Sequence, residues 1–434
     1  MASCASDEQE AARNAEVEGG AAAPPVDGGG VPTADVAPRE DARAPLLNSC
    51  GDAGTFPDTW LADPRLCLSV FATNVTRPRQ MAFAPDGVLF VVADGFLVAL
   101  TDEDHDGAIQ DAERNRFAAV AEGTVELTHG VAFSPDGAFV YASSDTTVYR
   151  WPYAKGDKVA LAPPEIVVAN MPAGGGHVTR ALVFDALGRL YVHVGSDLDV
   201  DTDAAVLASR SMVRRFTLPA AIPTKGIDYS AGDVFAYGLR NSVGLAFDSQ
   251  GRMWGVDNGS DALGDDNPGE ELNRLDGPGP SFFGYPHCWS EYLLDGGLGP
   301  GTQWAYAPGP SAPDHAWCQN PSNVRRPAAV MPGHSAPLGV AEYTGGSLPW
   351  RGDLLIALHG STYRTTPVGR VLVRAQLDGG SVERITPVVG RAVDGGLAEG
   401  TWEVRPVDVR TGPDDAVYFS DDVGHRIFRL GYRP

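Results

Sequence analysis

A recurring unit constrains the fold of this chain more than any other feature. Each copy is a short apolar strand, a turn of the Pro-Asp-Gly kind and a second apolar strand, as in MAFAPDGVLFVVAD and VAFSPDGAFVYASS. Copies begin at Met81, Val131, Leu182, Leu245, Gly339 and Val407, the fifth in looser form. Each copy is typical of a β-hairpin. Six hairpins at this spacing, most followed by another short strand, predict an all-β, six-bladed β-propeller.

Two further segments complete this predicted architecture. The stretch CLSVFATNV, which starts at Cys67, is expected to supply a strand that closes the ring with the last blade. Insertions separate the later copies, notably over 257–335. In propellers such insertions gather on one face, so we expect them to build a site around the central channel.

Residues 1–48 have a different composition from the rest of the chain. They are rich in Ala, Gly, Pro and acidic residues, and almost lack large apolar side chains. Such a segment cannot bury enough apolar area to offset its ordering entropy, so we expect a disordered tail before a propeller domain at 49–434. Small residues precede Cys4, as at the end of a bacterial lipoprotein signal. The tail is therefore expected either to be a lipid tether or to be a plain acidic extension.

Charge and cysteine content narrow the partners and the compartment. The net charge of -23 argues against nucleic acid and anionic membranes as partners, which leaves lipid on Cys4 as the expected membrane link. Five cysteines allow two local disulfides, Cys50–Cys67 and Cys288–Cys318, with Cys4 left over. Such pairing predicts an oxidising compartment, the periplasm or the cell surface. The alternative is a cytosolic protein with five buried thiols.

The segment from Asp102 to Glu113 fits a twelve-position calcium loop of the EF-hand kind. Its oxygen donors are Asp102, Asp104, Asp106, Gln110 and Glu113. A Gly at position six and an Ile at position eight complete the motif. Because the flanking segments resemble strands, we expect an isolated calcium loop on a blade with a structural role. The alternative is a solvated acidic turn.

Polar groups interrupt the blade pattern in three places. His177 follows three glycines just before the third hairpin, where a neutral imidazole can act as a general base. Arg240 and Asn241 precede the fourth hairpin, and the acidic insertion after it offers oxygens to a second Ca²⁺. The third group, expected to converge on the axis around an anionic ligand, is His334, His359, Arg364 and Arg405. The alternatives are a hydrogen-bonded loop His, a structural Arg beside an acidic surface loop, and scattered surface charge.

The order of these motifs resembles the glucose/sorbosone dehydrogenase family, and its sorbosone dehydrogenase-like branch most. The series runs from RQMAFAPDG through GGHVTRALVF, YGLRNSVGLAFD, GEELNRL and FFGYPHCW to HSAPLGVAEY and LLIALHGSTYR, over about residues 70–434. The resemblance implies pyrroloquinoline quinone (PQQ) over the propeller axis beside a Ca²⁺. It implies His177 as the catalytic base and Arg240 with Asn241 as quinone contacts. It also implies backbone carbonyls of Gly259 and Ser260 as calcium ligands, and Arg405 as a carboxylate anchor.

The chain departs from the glucose enzymes of that family at three positions. His359 occupies the position of a Lys against PQQ, Val407 that of a second Arg, and Ser260 that of a Pro. The leading interpretation is a PQQ- and Ca²⁺-dependent oxidation of an aldose or related sugar, with electrons passed to a periplasmic acceptor. Two alternatives stay open: a binding or scaffold propeller without cofactor, and a calcium-dependent hydrolase of the lactonase type.

Overall fold

The computed structural model describes residues 60–307, 312–390 and 403–433. Within these ranges, six β-sheets form the blades of a propeller, which confirms the predicted fold. The first strand, β1 (Leu66–Ala72), belongs to the last blade. Blade 1 contains β2 (Met81–Phe83), β3 (Leu89–Ala93), β4 (Phe96–Leu100) and β5 (Arg114–Ala118). Blade 2 contains β6 (Val131–Phe133), β7 (Phe139–Ser143), β8 (Val148–Pro152) and β9 (Glu165–Ala169).

The third and fourth blades carry the longest connections. Blade 3 contains β10 (Leu182–Phe184), β11 (Arg189–Val194), β12 (Met212–Thr217) and β14 (Asp233–Tyr237). The short β13 (Ile227–Asp228) extends blade 2. Blade 4 contains β15 (Gly244–Phe247), β16 (Met253–Asp257), β17 (Glu270–Arg274) and β21 (Ala329–Met331). Within its insertion, β18 (Ser281–Phe282) extends blade 3, and β19 (Cys288–Ser290) pairs with β20 (Gln303–Ala305).

The remaining strands complete the ring. Blade 5 contains β22 (Pro337–Glu342), β23 (Leu354–Leu358), β24 (Val371–Asp378) and β25 (Ser381–Gly390). Blade 6 contains β26 (Pro406–Thr411), β27 (Val417–Asp421), β28 (Arg426–Tyr432) and β1. Helices in the described ranges are short: α1 (Ala204–Leu207), α2 (His315–Gln319) and 3-10 turns at Asp111–Glu113, Ala121–Gly123 and Tyr229–Ala231. None of them is long and apolar enough to cross a bilayer.

Packing between blades explains the apolar hairpin repeat. The second strand of each blade lies between the neighbouring blades, and all residues of β3, β16, β23 and β27 are buried. Such strands are sandwiched on both faces, so they read as continuous apolar runs. The first strand of each blade is called its inner strand. The phenylalanine that ends an inner strand packs edge-on against an aromatic ring of the preceding blade, as Phe133 does on Phe90 and Phe184 on Tyr141. These repeated contacts join neighbouring blades.

The ring closes between the two ends of the described chain, as predicted. Strand β1 pairs antiparallel with β28, from Leu66 opposite Tyr432 to Ala72 opposite Ile427. The last blade therefore takes one strand from the N-terminal side and three from the C-terminal side. The acidic 102–113 loop adds a contact to this closing strand, because the Ile109 N–H donates to the Phe71 carbonyl.

The predicted Cys288–Cys318 disulfide is confirmed and joins β19 to α2 within the blade 4 insertion. Cys67 is also disulfide-bonded, but its predicted partner Cys50 lies outside the described residues. The predicted tail at 1–48, its boundary with the propeller domain, and Cys4 lie outside them as well.

Candidate active site

The propeller topology collects polar side chains at one end of its channel. An inner strand starts at this end and the second strand of the same blade returns to it. Residues before the first strand of a blade therefore meet residues after a second strand, either of the same blade or of the neighbouring blade. Backbone hydrogen bonds join these segments, from Ser196 to Arg240, from Asn258 to Asn241 and from His359 to Ala336.

These segments enclose a cavity of about 280 Å³. Its cationic and potentially cationic lining residues are Arg77, Arg79, His177, His359, Arg405 and His425. Asp422 supplies the one carboxylate among the described lining residues. Such a cavity is suited to a ligand with several negative charges.

Apolar side chains from the inner strands and their approaches form the base of the cavity. Val243, Leu338 and Val407 make a small buried cluster, and the first two line the cavity directly. The departure at Val407 thus places an apolar group in the core where the resemblance implies an arginine. A charge at this fully buried position would need a partner that the cluster does not contain.

His177 is held in one tautomer by its neighbours. Its Nδ1 lies 3.0 Å from the Ser196 carbonyl and 2.9 Å from the Ser196 hydroxyl, which itself donates to the Leu198 carbonyl. Both atoms therefore accept from Nδ1–H, which leaves Nε2 with a lone pair. Burial, reinforced by the positive charge of Arg240, holds the pKa of His177 well below its usual range. The imidazole is thus neutral and oriented, as a general base requires.

Arg240 and Asn241 occupy different environments although they are adjacent. The Arg240 guanidinium pairs with Asp199 at 2.7 Å and approaches Asp261 at 3.4 Å, and it does not line the cavity. Asn241 does line the cavity. Its Oδ1 is buried and has no hydrogen-bond partner among the described residues. A buried acceptor of this kind calls for a donor from a ligand or from water.

The predicted metal ligands Gly259 and Ser260 come after β16 and the cavity-lining Asn258. Their carbonyl oxygens accept no hydrogen bond within the described ranges, so both remain available to a cation. Buried carboxylates lie close by: Glu270 accepts from the Gly259 N–H at 2.7 Å, and burial raises the pKa of Glu270 to about 8. Burial and the neighbouring Glu271 carboxylate raise the pKa of Asp257 to about 7. The region is rich in hard oxygen donors, which suits Ca²⁺.

The third predicted group is divided by the structure. His359 and Arg405 line the cavity, and the Arg405 guanidinium donates to the carbonyls of His359 and Gly360. No carboxylate lies within ion-pair distance of this guanidinium in the described part of the chain. Arg364 instead pairs with Asp266 at 2.6 Å, and His334 bonds the Gly264 carbonyl at 2.8 Å. These two residues fix the acidic insertion and do not line the cavity.

Four lining residues are not among those predicted from the sequence: Arg77, Arg79, Asp422 and His425. Their positions in the repeat could have identified them. Arg77 and Arg79 precede the first inner strand as His177 precedes the third, and Asp422 follows a second strand as Asn258 does. The position of a residue relative to the hairpin was therefore the signal that could have predicted which residues line the cavity.

The acidic 102–113 loop lies outside the cavity, between β4 and β5 of blade 1. Carboxylate oxygens of Asp102, Asp104 and Asp106 lie within 4.8 Å of one another. The Glu113 carboxylate accepts from the Glu103 and Gln110 N–H groups and so ties the two sides of the loop together. Gln110 donates to Asp106 at 2.8 Å. The loop thus brings the predicted ligands into one compact group.

Comparisons with known proteins agree with this arrangement. A family model described as TrAA12-like matches residues 62–432. A "Pyrroloquinoline quinone-dependent sugar dehydrogenase" of Hypocrea jecorina is 31% identical over 319 residues, which is 68% of this chain and 71% of that protein. A "Pyrroloquinoline quinone-dependent pyranose dehydrogenase" of Coprinopsis cinerea is 27% identical over 326 residues, 69% of this chain but 42% of the relative.

Among solved structures, the calcium structure of the Trichoderma reesei carbohydrate-active enzyme of family AA12 is similar with a TM-score of 0.74. Its sequence is 28% identical, and the match covers 89% of this chain and 99% of that one. The similarity therefore spans the whole propeller.

Proposed function

The chain belongs to the TrAA12-like family, and on that premise we propose that it binds PQQ in the cationic cavity and oxidises a sugar. The single observation that supports this best is the neutral, oriented His177 in a cavity lined by arginine and histidine. PQQ is a tricarboxylate quinone, so the cations match its charge. Among the described residues no carboxylate pairs with the Arg405 guanidinium and no donor reaches the buried Oδ1 of Asn241, so both groups are available to such a ligand.

When bound, PQQ supplies the electron sink that takes up the hydride from the sugar carbon. The chain supplies the proton acceptor. His177 Nε2 is proposed to take the proton of the sugar hydroxyl, while Nδ1–H stays hydrogen-bonded to Ser196. Arg405, His359, Arg77 and Arg79 are proposed to hold the carboxylates. Arg240 acts at a distance, since its charge helps to keep His177 neutral before the reaction. Carbonyls of Gly259 and Ser260 would hold a Ca²⁺ beside the cofactor.

The direct test is dye-linked oxidation of a panel of aldoses and pyranoses by purified protein, with PQQ and Ca²⁺ added together or omitted singly. Activity that needs PQQ is the expected result. Absence of both activity and quinone binding across the panel would overturn the proposal in favour of a cofactor-free binding propeller. The lactonase alternative has less support, because the described cavity lining contains a single carboxylate, Asp422, where a metal-dependent hydrolase of this kind needs several.

Calcium is also proposed for the acidic 102–113 loop, where its role is structural. The loop contacts the closing strand through the Ile109–Phe71 hydrogen bond, and Arg114 donates to the Thr73 carbonyl. A cation that holds Asp102, Asp104 and Asp106 together would stabilise the loop and hence the closed ring. Binding to the folded state alone adds about 2.7 kcal/mol when calcium is about a hundredfold above its Kd.

We therefore expect Tm to rise when calcium replaces a chelator, and Asp104→Asn to remove part of that rise. The rise in Tm that remains in Asp104→Asn would come from calcium bound at the site near Gly259 and Ser260. Differential scanning calorimetry on cofactor-free protein measures both. The matched control is Asp233→Asn, another exposed aspartate, whose partner is Arg215 on β12. Equal calcium-induced shifts in wild type and Asp104→Asn would contradict a site in the loop.

We further propose export to an oxidising compartment, because disulfides such as Cys288–Cys318 form and persist mainly in such compartments. The electron acceptor would then be a periplasmic or cell-surface partner, and Cys4 would be the lipid attachment point. Mass spectrometry of the mature protein from membrane and soluble fractions tests the anchor: a lipid-modified Cys4 is expected, and an unmodified N-terminal peptide in both fractions would refute it.

A further inference from the structure

Three ionisable side chains from three blades meet at the wall of the cavity. Asp422 follows β27 in blade 6, His359 follows β23 in blade 5, and Arg79 precedes β2 in blade 1. One carboxylate oxygen of Asp422 accepts from His359 Nε2 at 2.9 Å, and the other accepts from Arg79 Nη1 at 2.9 Å. All three side chains keep a small exposed fraction, between 13% and 17%, and all three line the cavity.

This arrangement determines which atom of His359 meets a ligand. A carboxylate only accepts hydrogen bonds, so Nε2 must carry a proton and Nδ1 is the ring nitrogen left for the cavity. Nδ1 has no hydrogen-bond partner among the described residues. In the neutral imidazole it carries a lone pair, which would repel the oxygen of a bound carboxylate. In the imidazolium it carries N–H, which would donate a charge-assisted hydrogen bond.

From this geometry we infer that Asp422 is a positioning residue that turns Nδ1 of His359 toward a carboxylate of the cofactor, and that binding of this carboxylate draws one proton from solvent onto His359. The inference rests on the proposed PQQ site. The imidazolium would lie between two carboxylates, that of Asp422 on Nε2 and that of the ligand on Nδ1. No bond other than the new Nδ1–H is formed.

The surrounding charges support a protonation that waits for the ligand. Burial, with help from Arg405 and Arg79, lowers the pKa of His359, and Asp422 opposes this only in part. Burial alone would raise the pKa of Asp422, but His359, Arg79 and Arg405 outweigh it and keep the carboxyl ionised. The other titratable or charged lining groups are His177, Arg77 and His425. His359 is thus neutral at neutral pH before a ligand binds. It takes up a proton, and becomes positively charged, when an anion binds beside it.

The protonation of His359 makes PQQ affinity depend on pH. The folded, ligand-free protein has a lowered His359 pKa, and a bound carboxylate raises it. Between these two values binding takes up a proton, so PQQ affinity falls as pH rises. A lysine at this position, as the glucose enzymes have by resemblance, is charged throughout that range and would show no such dependence.

The test is calorimetric titration of PQQ into cofactor-free protein with calcium present, between about pH 6 and 8.5, in buffers of different ionisation enthalpy. The number of protons taken up follows from the buffer dependence, independently of catalysis. Wild type is expected to take up close to one proton within this range. His359→Lys should bind with almost no uptake, and His287→Asn, which changes an exposed histidine outside the cavity, should keep the wild-type uptake.

Asp422→Asn separates positioning from a purely structural role. An asparagine keeps the shape but offers one acceptor oxygen and no charge, so we expect PQQ affinity at pH 7 to fall by about 10- to 100-fold and proton uptake to decrease. Tight PQQ binding by wild type without proton uptake would overturn the inference alone. No PQQ binding by wild type at any pH would overturn the proposed function and the inference with it.

Discussion

His177→Asn is expected to lower kcat by about 10²- to 10⁴-fold, the range in which positioned general bases contribute. Asparagine can reproduce the N–H that His177 Nδ1 donates to the Ser196 carbonyl, but it offers no basic nitrogen in place of Nε2. The cations that are proposed to bind PQQ are untouched, so PQQ affinity should change little. Dye-linked steady-state rates and PQQ titration on the same preparation measure the two quantities. A fall in affinity that accounts for the whole loss of activity would contradict the role of base.

The pH profile gives an independent check on the same residue. A base is active when deprotonated, so activity is lost as pH falls through its pKa. Burial and Arg240 lower the pKa of His177, so the acidic limb of kcat/KM should lie well below pH 6.5. His287→Asn is a suitable control, because that histidine is exposed on the blade 4 insertion away from the cavity. It should leave both the rate and the profile unchanged.

Arg180→Met is expected to produce the largest loss of stability among single substitutions near the site. The Arg180 side chain is fully buried and donates to four carbonyls, those of Asp145, Pro172, His177 and Thr179, at 2.7 to 3.0 Å. Methionine fills much of the volume but leaves these acceptors without donors, at about 1–3 kcal/mol for each carbonyl that stays dry. We expect the free energy of unfolding to fall by roughly 3 kcal/mol or more.

Urea unfolding of cofactor-free protein measures this loss. Arg215→Met on β12 is the matched control, since Arg215 is half-buried, its partner Asp233 is exposed, and such an ion pair should contribute about 1 kcal/mol or less. Similar losses in the two variants would show that Arg180 does not have the proposed structural role. Because Arg180 bonds the His177 carbonyl, its loss should also raise the mobility of the loop that carries the base.

The sequence alone determined the blades, because the information for a hairpin is local. Alternating or continuous apolar runs around a Pro-Asp-Gly turn specify two paired strands, and Gly87 and Gly137 adopt the positive φ that the turn requires. Six such units can bury their faces only against one another, so a closed ring follows. His177 and Asn241 both precede the first strand of a blade, so the local pattern also indicated the end of the channel where they line the cavity.

Only the tertiary structure decided which charges meet. Arg79 and Asp422 are separated by 343 positions in sequence, and their ion pair exists because β1 and β28 close the ring. Arg240 and Arg364 were both expected at the ligand, yet the fold gives each of them acidic partners in loops of other segments. An ion pair forms where ring closure and loop packing bring two side chains within a few ångströms, and no local pattern encodes that distance. The cavity's residue types were thus readable from the sequence, whereas its network of partners required the folded chain.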